Sequence, residues 1–260
     1  MKDIKILSLN CQKGYQTGLK EFLNKVLKDG QYDFLLLQEF TGVAMAAIPE
    51  GISYKILHGF NNELGKQSHL AILYRDNFLL KKSTLHSFSF MHPTPFLIHP
   101  GFGLLLGQFE KDGREIYIGS VHQHSGLRLG IRMRETKKLK EILRVSLPSA
   151  ARIVFGGDFN LGLPGEVRRT NTILSPEFAS VTKDIGPTLD SRYTENVPVL
   201  TNRIAVFLAK FGIRVPLKTD HLFVDRKTAT ESKINTRILP NKVSDHSPIE
   251  LIIQEQQRKV

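Results

Sequence analysis

The sequence contains very little cysteine and no long apolar segment. Cys11 is the only cysteine in 260 residues, which excludes an intrachain disulfide and favours a reducing compartment. No stretch approaches the roughly 20 apolar residues that a transmembrane helix needs. The start, MKDIKILSLN, carries charges every few positions and lacks the apolar run of a signal peptide. These absences predict a soluble, cytoplasmic protein in which Cys11 is a packed thiol rather than a nucleophile.

Negative charge is also scarce. The chain has 36 lysines and arginines against 25 aspartates and glutamates, a net charge of +11 at pH 7. This surplus favours a polyanionic partner such as nucleic acid, or an anionic lipid surface, although solubility alone would explain it too. No repeat, low-complexity tract or linker rich in Gly, Ser or Pro interrupts the chain. We therefore predict a single domain spanning residues 1–260 that acts as a monomer.

Short apolar runs bounded by turns predict β-strands throughout the chain. These runs cover residues 4–9, 34–37, 70–74, 104–109, 116–121, 153–155, 221–224 and 249–253. Helical spacing of apolar residues predicts three helices, at 19–30, from about 127 to 146, and at 198–211. The proline- and phenylalanine-rich segment 86–103 is predicted to be a loop that packs on the core or contacts a ligand.

Polar residues able to bind a metal or a phosphate stand at the ends of several predicted strands. Four runs, ILSLN, LLLQE, IGSVH and IVFGGDFN, finish in such residues, and others open the strands in TDHLFV and VSDHSPI. Because strand ends along one edge of a sheet converge, we expect these residues to line one crevice. They are Asn10, Glu39, His122, Asp158, Asn160, Asp220, Asp245 and His246.

This assortment of residues suits hydrolysis of a phosphate ester with a hard cation. Magnesium prefers oxygen ligands, so Glu39 is the first candidate ligand, supported by Asn10 and Asp245, and Mn²⁺ is an alternative ion. A histidine held by a carboxylate can act as general base, which fits His246 oriented by Asp220.

The remaining candidates suit the phosphate and the attacking water. Asp158 and Asn160 can position the water and hydrogen-bond a phosphoryl oxygen. His122 can donate to the negative charge that develops in the transition state.

In this order, the residues resemble the endonuclease/exonuclease/phosphatase superfamily, metal-dependent phosphoesterases that include deoxyribonucleases of the pancreatic type. The resemblance spans residues 4–253, and GGDFN and SDHSP are its most specific motifs. It implies an α/β fold: a four-layer α/β sandwich of two packed mixed β-sheets flanked by helices. It also implies the same roles for the eight residues as the strand ends suggest, with Glu39 and Asn10 at the metal.

The branch of the superfamily can be narrowed. Members of the abasic-endonuclease type extend QE to QET-Lys and place a tyrosine after the central strand. This chain has Gln38-Glu39-Phe40-Thr41 and His122, which makes abasic-site cleavage the weaker interpretation. The histidine branch includes nucleases, deadenylases, sphingomyelinases, inositol phosphatases and tyrosyl-DNA phosphodiesterases. The layout of His122, then a helix containing Arg132 and Glu135, then GGDFNL most resembles the phosphodiesterase and nuclease members.

Two classes of function follow from the sequence. The first is a Mg²⁺-dependent phosphodiesterase acting on nucleic acid, with phospholipid, sphingomyelin or inositol phosphate as the alternative substrate. The second is a noncatalytic basic module that binds nucleic acid, which the intact set of ionisable residues argues against. A basic cluster on the helix before GGDFN is either a solvated face or a contact for backbone phosphates. Its members are Arg128, Arg132, Arg134, Lys137, Lys138 and Lys140.

Overall fold

A computed structural model describes residues 3–14, 18–61, 66–88, 102–124, 129–161, 164–189, 217–240 and 243–256. In this part of the chain, one six-stranded sheet has the order β11-β12-β1-β2-β4-β3. Its strands are β1 (Ile4–Asn10), β2 (Phe34–Gln38), β3 (Tyr54–Asn61), β4 (Lys66–Arg75), β11 (Ser232–Ile238) and β12 (Ile249–Glu255). We call it the first sheet.

The second sheet also has six strands, in the order β5-β6-β7-β8-β10-β9. Its members are β5 (Leu79–Ser87), β6 (Gly103–Lys111), β7 (Arg114–His122), β8 (Ile153–Asp158), β9 (Phe178–Ser180) and β10 (Asp220–Asp225). Each sheet contains one parallel pair, β1 with β2 and β7 with β8, and its other pairs are antiparallel. The prediction of two mixed sheets is confirmed.

Five α-helices accompany these strands in the described residues: α1 (Leu19–Lys28), α2 (Gly42–Met45), α3 (Leu129–Ser146), α4 (Pro164–Leu174) and α5 (Arg226–Glu231). Leu23 of α1 is buried in the same cluster as Leu9 and Leu35 of the first sheet. Leu139 and Leu143 of α3 join Phe155 on the outer face of the second sheet. Helices therefore cover both outer faces, which confirms the four-layer sandwich. None of the described helices is long and apolar enough to cross a bilayer.

The inner faces of the two sheets pack against each other. Phe34 and Leu36 of β2 share one buried cluster with Phe109 and Ile118 of the second sheet, and the rings of Phe34 and Phe109 lie 5.0 Å apart. Leu35, the residue between, points to the other side of β2, where α1 packs. Because β2 is buried on both faces, its sequence reads as an unbroken apolar run rather than an alternating one.

All eight predicted strands are present, with bounds that differ by a few residues. The first two predicted helices are present as α1 and α3; Gly30, just beyond α1, has a positive φ of 57°, as a glycine after a helix end often does. Cys11 is fully buried, as predicted for a packed thiol. The third predicted helix, 198–211, and residues 89–101 of the predicted loop lie outside the described residues.

Candidate active site

The predicted site residues meet at one edge of the sandwich. Asn10 ends β1, and Glu39 directly follows β2. In the second sheet, His122 ends β7 and lies opposite Asp158 at the end of β8. Since β10 runs antiparallel to β8, its first residue, Asp220, also lies opposite Asp158. Asp245 and His246 occupy the turn before β12. We call the space among these strand ends and Asn160 the strand-end crevice.

The predicted pair of Asp220 and His246 is present. Nδ1 of His246 lies 2.8 Å from Oδ2 of Asp220, and the Thr219 hydroxyl donates to the same oxygen at 2.9 Å. Nε2, the opposite ring nitrogen, lies 3.8 Å from Oδ2 of Asp158 and 3.9 Å from Oδ1 of Asp245. Asp220 therefore fixes the orientation of the ring, and Nε2 faces two further carboxylates.

Asp158 is held by two amide side chains. It is 2% exposed, and its Oδ2 accepts from Nδ2 of Asn10 and Nδ2 of Asn160, both at 3.0 Å. The backbone N–H of Asn160 donates to Oδ1 at 2.8 Å, in a turn where Asn160 has a φ of 53°. Nδ2 of Asn160 also donates to the Gln123 carbonyl at 2.8 Å. Both hydrogens of this amide are thus used inside the protein, and one of them, together with the backbone N–H of Asn160, holds Asp158 in place.

Glu39 and His122 face each other across the two sheets. His122 Nε2 lies 3.9 Å from Oε1 of Glu39 and 3.6 Å from Oδ2 of Asp158. Glu39 has a φ of 49°, a left-handed conformation that is uncommon for a residue with a side chain. The edge of Phe102 packs on the His122 ring, with centroids 4.9 Å apart. The strained turn at Glu39 redirects its side chain at the point where β2 ends.

The GGD sequence allows the two sheets to approach closely at the crevice. Gly157 has a φ of 139°, and a Cβ there would lie 2.3 Å from the Val121 carbonyl oxygen and 2.6 Å from Nε2 of Gln38. Gln38 crosses between the sheets to donate to the Ser120 hydroxyl at 3.0 Å. Glycine is therefore required at 157 so that Gln38, next to Glu39, can pack against the strand that carries Asp158.

Three carboxylates, those of Asp158, Asp220 and Asp245, surround the His246 ring, and the charge of Glu39 acts on Asp158 and Asp245. Burial, together with the charges of Asp220 and Glu39, raises the pKa of Asp158 to about 7 despite the opposing charge of His246. Burial also raises the pKa of Asp245, and the Glu39 and Asp220 charges act in the same direction. Crowded acids in a buried site disfavour one another's ionisation.

The pKa values of Asp220 and His246 shift in opposite directions. Burial alone would lower the pKa of His246, but the charges of Asp220, Asp158 and Asp245 outweigh it and raise that pKa well above its ordinary value. Burial would raise the pKa of Asp220, but the His246 charge and several hydrogen bonds lower it. Without a further positive charge in the crevice, these carboxylates therefore favour the protonated ring.

The donor set of the crevice fits a hard divalent cation. It is rich in carboxylate oxygen, and its acids repel each other, which a cation would relieve. Among the residues that the structure describes, one group of three, Asp158, Asp220 and His246, offers ligand atoms within 4.8 Å of one another. This group differs from the predicted ligands. Its atoms are already bonded, since Asp220 holds the His246 ring and the Asp158 oxygen accepts two amides, and magnesium prefers oxygen to imidazole.

Two threonines that the sequence analysis did not select support the Asp220–His246 pair. The Thr188 hydroxyl accepts from the backbone N–H groups of Thr219 and Asp220, both at 3.1 Å. The Thr188 carbonyl accepts from the Ser247 N–H at 2.7 Å. Thr219 stands directly before Asp220 in the sequence, which is a usable signal, whereas Thr188 has no local motif.

Glu135 of α3 is noted in the sequence only as part of the layout after His122, and no role is predicted for it. It is fully buried, and its Oε2 accepts from the His124 N–H at 2.9 Å. The neighbouring Gln123 N–H donates to the Asp158 carbonyl at 2.9 Å. Burial raises the pKa of Glu135 to about 7. A carboxyl group on α3 thus holds the turn that follows His122.

The predicted basic cluster on α3 is not one surface. Arg132 is buried and donates from Nε to Glu166 at 3.1 Å, while Lys140 pairs with Glu177 at 2.8 Å. Lys138 pairs with Glu141 at 3.3 Å, which leaves Arg134 and Lys137 as its exposed members. Arg128 lies outside the described residues.

Comparison with known proteins shows which family this chain matches. The sequence profile described as "Endonuclease/Exonuclease/phosphatase family" matches residues 7–246. No similar sequence was found among curated proteins.

Solved structures have the same fold at low identity. D. rerio TDP2 complexed with single-strand DNA product is 19% identical, with a TM-score of 0.74, covering 97% of this chain and 99% of that one. Truncated Caenorhabditis elegans TDP2 is 18% identical, with a TM-score of 0.70, covering 97% and 98%. A mutant Staphylococcus aureus beta toxin with bound magnesium ions is 14% identical, with a TM-score of 0.71, covering 98% and 100%. On the family match, which spans nearly the whole chain, the protein belongs to the endonuclease/exonuclease/phosphatase family of metal-dependent phosphoester-hydrolysing enzymes.

Proposed function

We propose that the protein is a Mg²⁺-dependent phosphodiesterase that hydrolyses phosphodiester bonds in nucleic acid by in-line attack of water. The observation that carries this proposal is the His246 ring, fixed by Asp220 at 2.8 Å with its free edge toward Asp158 and Asp245. The net charge of +11 favours a polyanionic substrate. The similar D. rerio TDP2 structure, which holds a single-strand DNA product, supports nucleic acid over a small phosphate ester.

His246 is the general base in this proposal. Its Nε2 faces Asp158 and Asp245, and a water there would lie within reach of the ring. Asp220 accepts the Nδ1–H and stabilises the imidazolium that forms when the water loses its proton. Asp158 accepts the other hydrogen of that water, and so aims its lone pair at phosphorus.

The metal ligands in this proposal are Glu39, Asn10 and Asp245, with Mg²⁺ as the ion and Mn²⁺ as a substitute. Oδ1 of Asn10 accepts from the Gln12 N–H at 2.9 Å and retains a second lone pair for an ion. When bound, the cation supplies positive charge that withdraws electrons from the phosphate and lowers the pKa of His246 toward neutrality.

His122 and Asn160 stabilise the phosphate. Nε2 of His122, between Glu39 and Asp158, donates to a phosphoryl oxygen as negative charge develops. Asn160 serves chiefly to hold Asp158, and it donates to phosphate only by giving up one of its two present hydrogen bonds.

A substrate panel with Mg²⁺ tests the proposal. It contains single-stranded and duplex DNA, RNA, a 5′-phosphotyrosyl oligonucleotide, sphingomyelin and inositol phosphates. We expect hydrolysis of at least one nucleic acid, lost in EDTA and restored by Mg²⁺. Glu39→Gln keeps the shape of the side chain but removes its charge, so it should weaken Mg²⁺ binding and lower kcat together. Full activity in EDTA would refute the mechanism, and hydrolysis of sphingomyelin or inositol phosphates alone would replace nucleic acid as the substrate.

A further inference from the structure

A second concave surface lies between α4 and β9, on the outer side of the second sheet. Its volume is about 670 Å³, and none of the eight residues of the strand-end crevice lines it. Phe178 and Phe223, which are buried in the core cluster under α3 and α4, lie at its base. Arg168, Asn171 and Thr172 of α4 form one wall. We call this surface the basic groove, for the charge described next.

Three cationic side chains line the basic groove, and they come from three places in the fold. Arg168 belongs to α4, Lys183 follows β9, and Arg226 is the first residue of α5. No aspartate or glutamate is among the lining residues in the described part of the chain. Like charges that converge on a concave surface repel each other and favour an anion there.

The cations are available to a ligand to different degrees. Arg226 is braced, since its Nε donates to the Pro176 carbonyl at 2.8 Å and its Nη2 to the Ser175 hydroxyl at 3.0 Å. Lys183 lies 4.0 Å from Asp184, but both side chains are more than two-thirds exposed, and such surface pairs contribute little. Arg168 is exposed on α4. The groove therefore presents one fixed guanidinium and two adaptable cations.

The spacing of these cations suits a chain of phosphates. Arg168 and Ser175, the partner of Arg226, are seven residues apart along α4 and its end, a separation of about 10 Å at 1.5 Å per residue. A phosphodiester backbone carries one phosphate per nucleotide, so it can contact both ends of this wall at once. Phe223 is three residues along β10 from Asp220, so the groove begins about 10 Å from the strand-end crevice.

We propose that the basic groove binds the sugar-phosphate backbone of a single-stranded nucleic acid through Arg168, Lys183 and Arg226. The proposal rests on the proposed function, because it assigns to the same substrate a second contact surface outside the strand-end crevice. The groove contributes affinity and directs the strand, while the reaction occurs at His246. Its concave shape fits a strand better than a flat lipid surface.

The test compares two double variants that lower the net charge equally. Arg168→Glu with Lys183→Glu alters the groove, and Lys20→Glu with Lys25→Glu alters exposed positions on α1, which covers the other sheet. Binding of a labelled single-stranded oligonucleotide is measured by fluorescence anisotropy in EDTA, between about 50 and 200 mM salt. All four positions are exposed, and circular dichroism checks that each variant is folded.

For the groove variant, we expect the slope of log affinity against log salt to become shallower by about 0.7 per lost phosphate contact, or about 1.4 in total. The α1 variant should keep the wild-type slope. Equal slopes in the two variants would overturn the proposal. So would loss of binding to anionic lipid vesicles in the groove variant with an unchanged oligonucleotide slope, because the groove would then serve a lipid surface.

This experiment does not depend on catalysis. Binding is measured without divalent ions, so the groove can be confirmed even if the wild-type protein hydrolyses no nucleic acid, which would refute only the proposed function. If the protein does hydrolyse nucleic acid, the groove variant should retain wild-type kcat on a phosphodiester too short to reach the groove. A matching loss of kcat on that short substrate would count against a separate binding surface.

Discussion

Among single residues, His246 illustrates how burial and charge oppose each other. Burial favours the neutral ring, yet three carboxylates raise the pKa well above its ordinary value, so charge dominates. A general base must be neutral before it can accept a proton, and the same carboxylates that orient the ring therefore hinder it. A divalent cation bound by the proposed ligands would offset their charge, which gives a physical reason for the proposed base to require a metal.

Substitutions in the Asp220–His246 pair test this assignment. His246→Ala should lower kcat by about 10²-fold to 10⁴-fold, the usual loss for a positioned general base. Asp220→Asn should also lower kcat, because the amide can no longer stabilise the imidazolium. Asp184→Asn, the same change at a side chain that is 86% exposed, is the control and should leave kcat unaltered. Near-wild-type kcat in both pair variants would show that the base lies elsewhere.

Cys11 gives a second prediction for a single residue. Burial, followed by the charge of Glu39, raises the pKa of this thiol far above its ordinary value. Because the thiolate is the reactive form, Cys11 should not react with a disulfide reagent such as Ellman's reagent in the native protein, and should react fully in urea. Rapid reaction under native conditions would contradict the packed position of Cys11.

The strands that sequence reasoning missed share a physical cause. β3, β5, β9 and β11 lie at the edges of the sheets, and β5 and β11 carry exposed polar residues, as in LLKKSTLHS and SKINTRI. The predicted strands of the sheet interiors are buried on both faces, which produces apolar runs that are easy to recognise. α2, with four residues, is too short for a periodic pattern. Burial on both faces, rather than strand propensity, made the central fold predictable.

The residues of the candidate active site also differ in how well the sequence predicts them. Strand ends could be read from the sequence, and they carry Asn10, Glu39, His122 and Asp158. Thr188 and Glu135 could not be found this way, because Thr188 contacts Asp220 across 32 residues and Glu135 contacts a turn on a different element. The hydrogen bonds of Thr188 and Glu135 depend on how α3 and the segment before residue 190 pack on the sheet. No local sequence motif indicates that packing.

Helix α3 offers a pH prediction through Glu135. A carboxyl in the unfolded chain ionises near its ordinary pKa of 4.5, whereas burial raises the folded-state pKa to about 7. Between these values the folded protein holds a proton that the unfolded chain has lost, so the free energy of unfolding falls as pH rises through this window. The two pKa values differ by about 2.5, and each pKa unit corresponds to about 1.4 kcal/mol, so the free energy of unfolding falls by at most about 3 kcal/mol.

Glu135→Gln keeps the acceptor for the His124 N–H but cannot ionise, so this decline should disappear. Urea unfolding in EDTA at pH 5 and pH 8 measures the free energy of unfolding of wild type and variant. The difference between the two proteins at each pH isolates the contribution of Glu135, because the other titrating groups are common to both. Glu141→Gln on the same helix, where the side chain is 66% exposed, should keep the wild-type pH dependence. Parallel pH profiles for wild type and Glu135→Gln would show that Glu135 ionises freely.

In the molecule as a whole, the proposed active site is shared between the two sheets. Asn10 and Glu39 come from the first sheet, while His122, Asp158 and Asp220 come from the second. The distance from Glu39 to His122 is therefore set by how closely the sheets pack, which the apolar layer around Phe34 and Phe109 maintains. Catalytic geometry and stability should consequently respond together to a change at the sheet interface.

Gly157 and Gly130 provide a matched test of this coupling. Gly157→Ala would place a Cβ 2.3 Å from the Val121 carbonyl oxygen and 2.6 Å from Gln38, at a φ of 139°. The strained backbone and the overpacking each cost about 1–3 kcal/mol. Because Gln38 adjoins Glu39 and Gly157 adjoins Asp158, kcat should fall as well, by up to about 10²-fold for a displacement near 1 Å.

Gly130→Ala is the control, since nothing lies within 4 Å of its Cβ position in α3. Alanine has the higher helix propensity, so this variant should gain up to about 1 kcal/mol in unfolding free energy and keep wild-type kcat. Urea unfolding and kcat on one phosphodiester measure both variants. If Gly157→Ala kept wild-type stability and kcat, β8 could move away from Gln38 without disturbing the site, and the spacing of the sheets would not control its geometry.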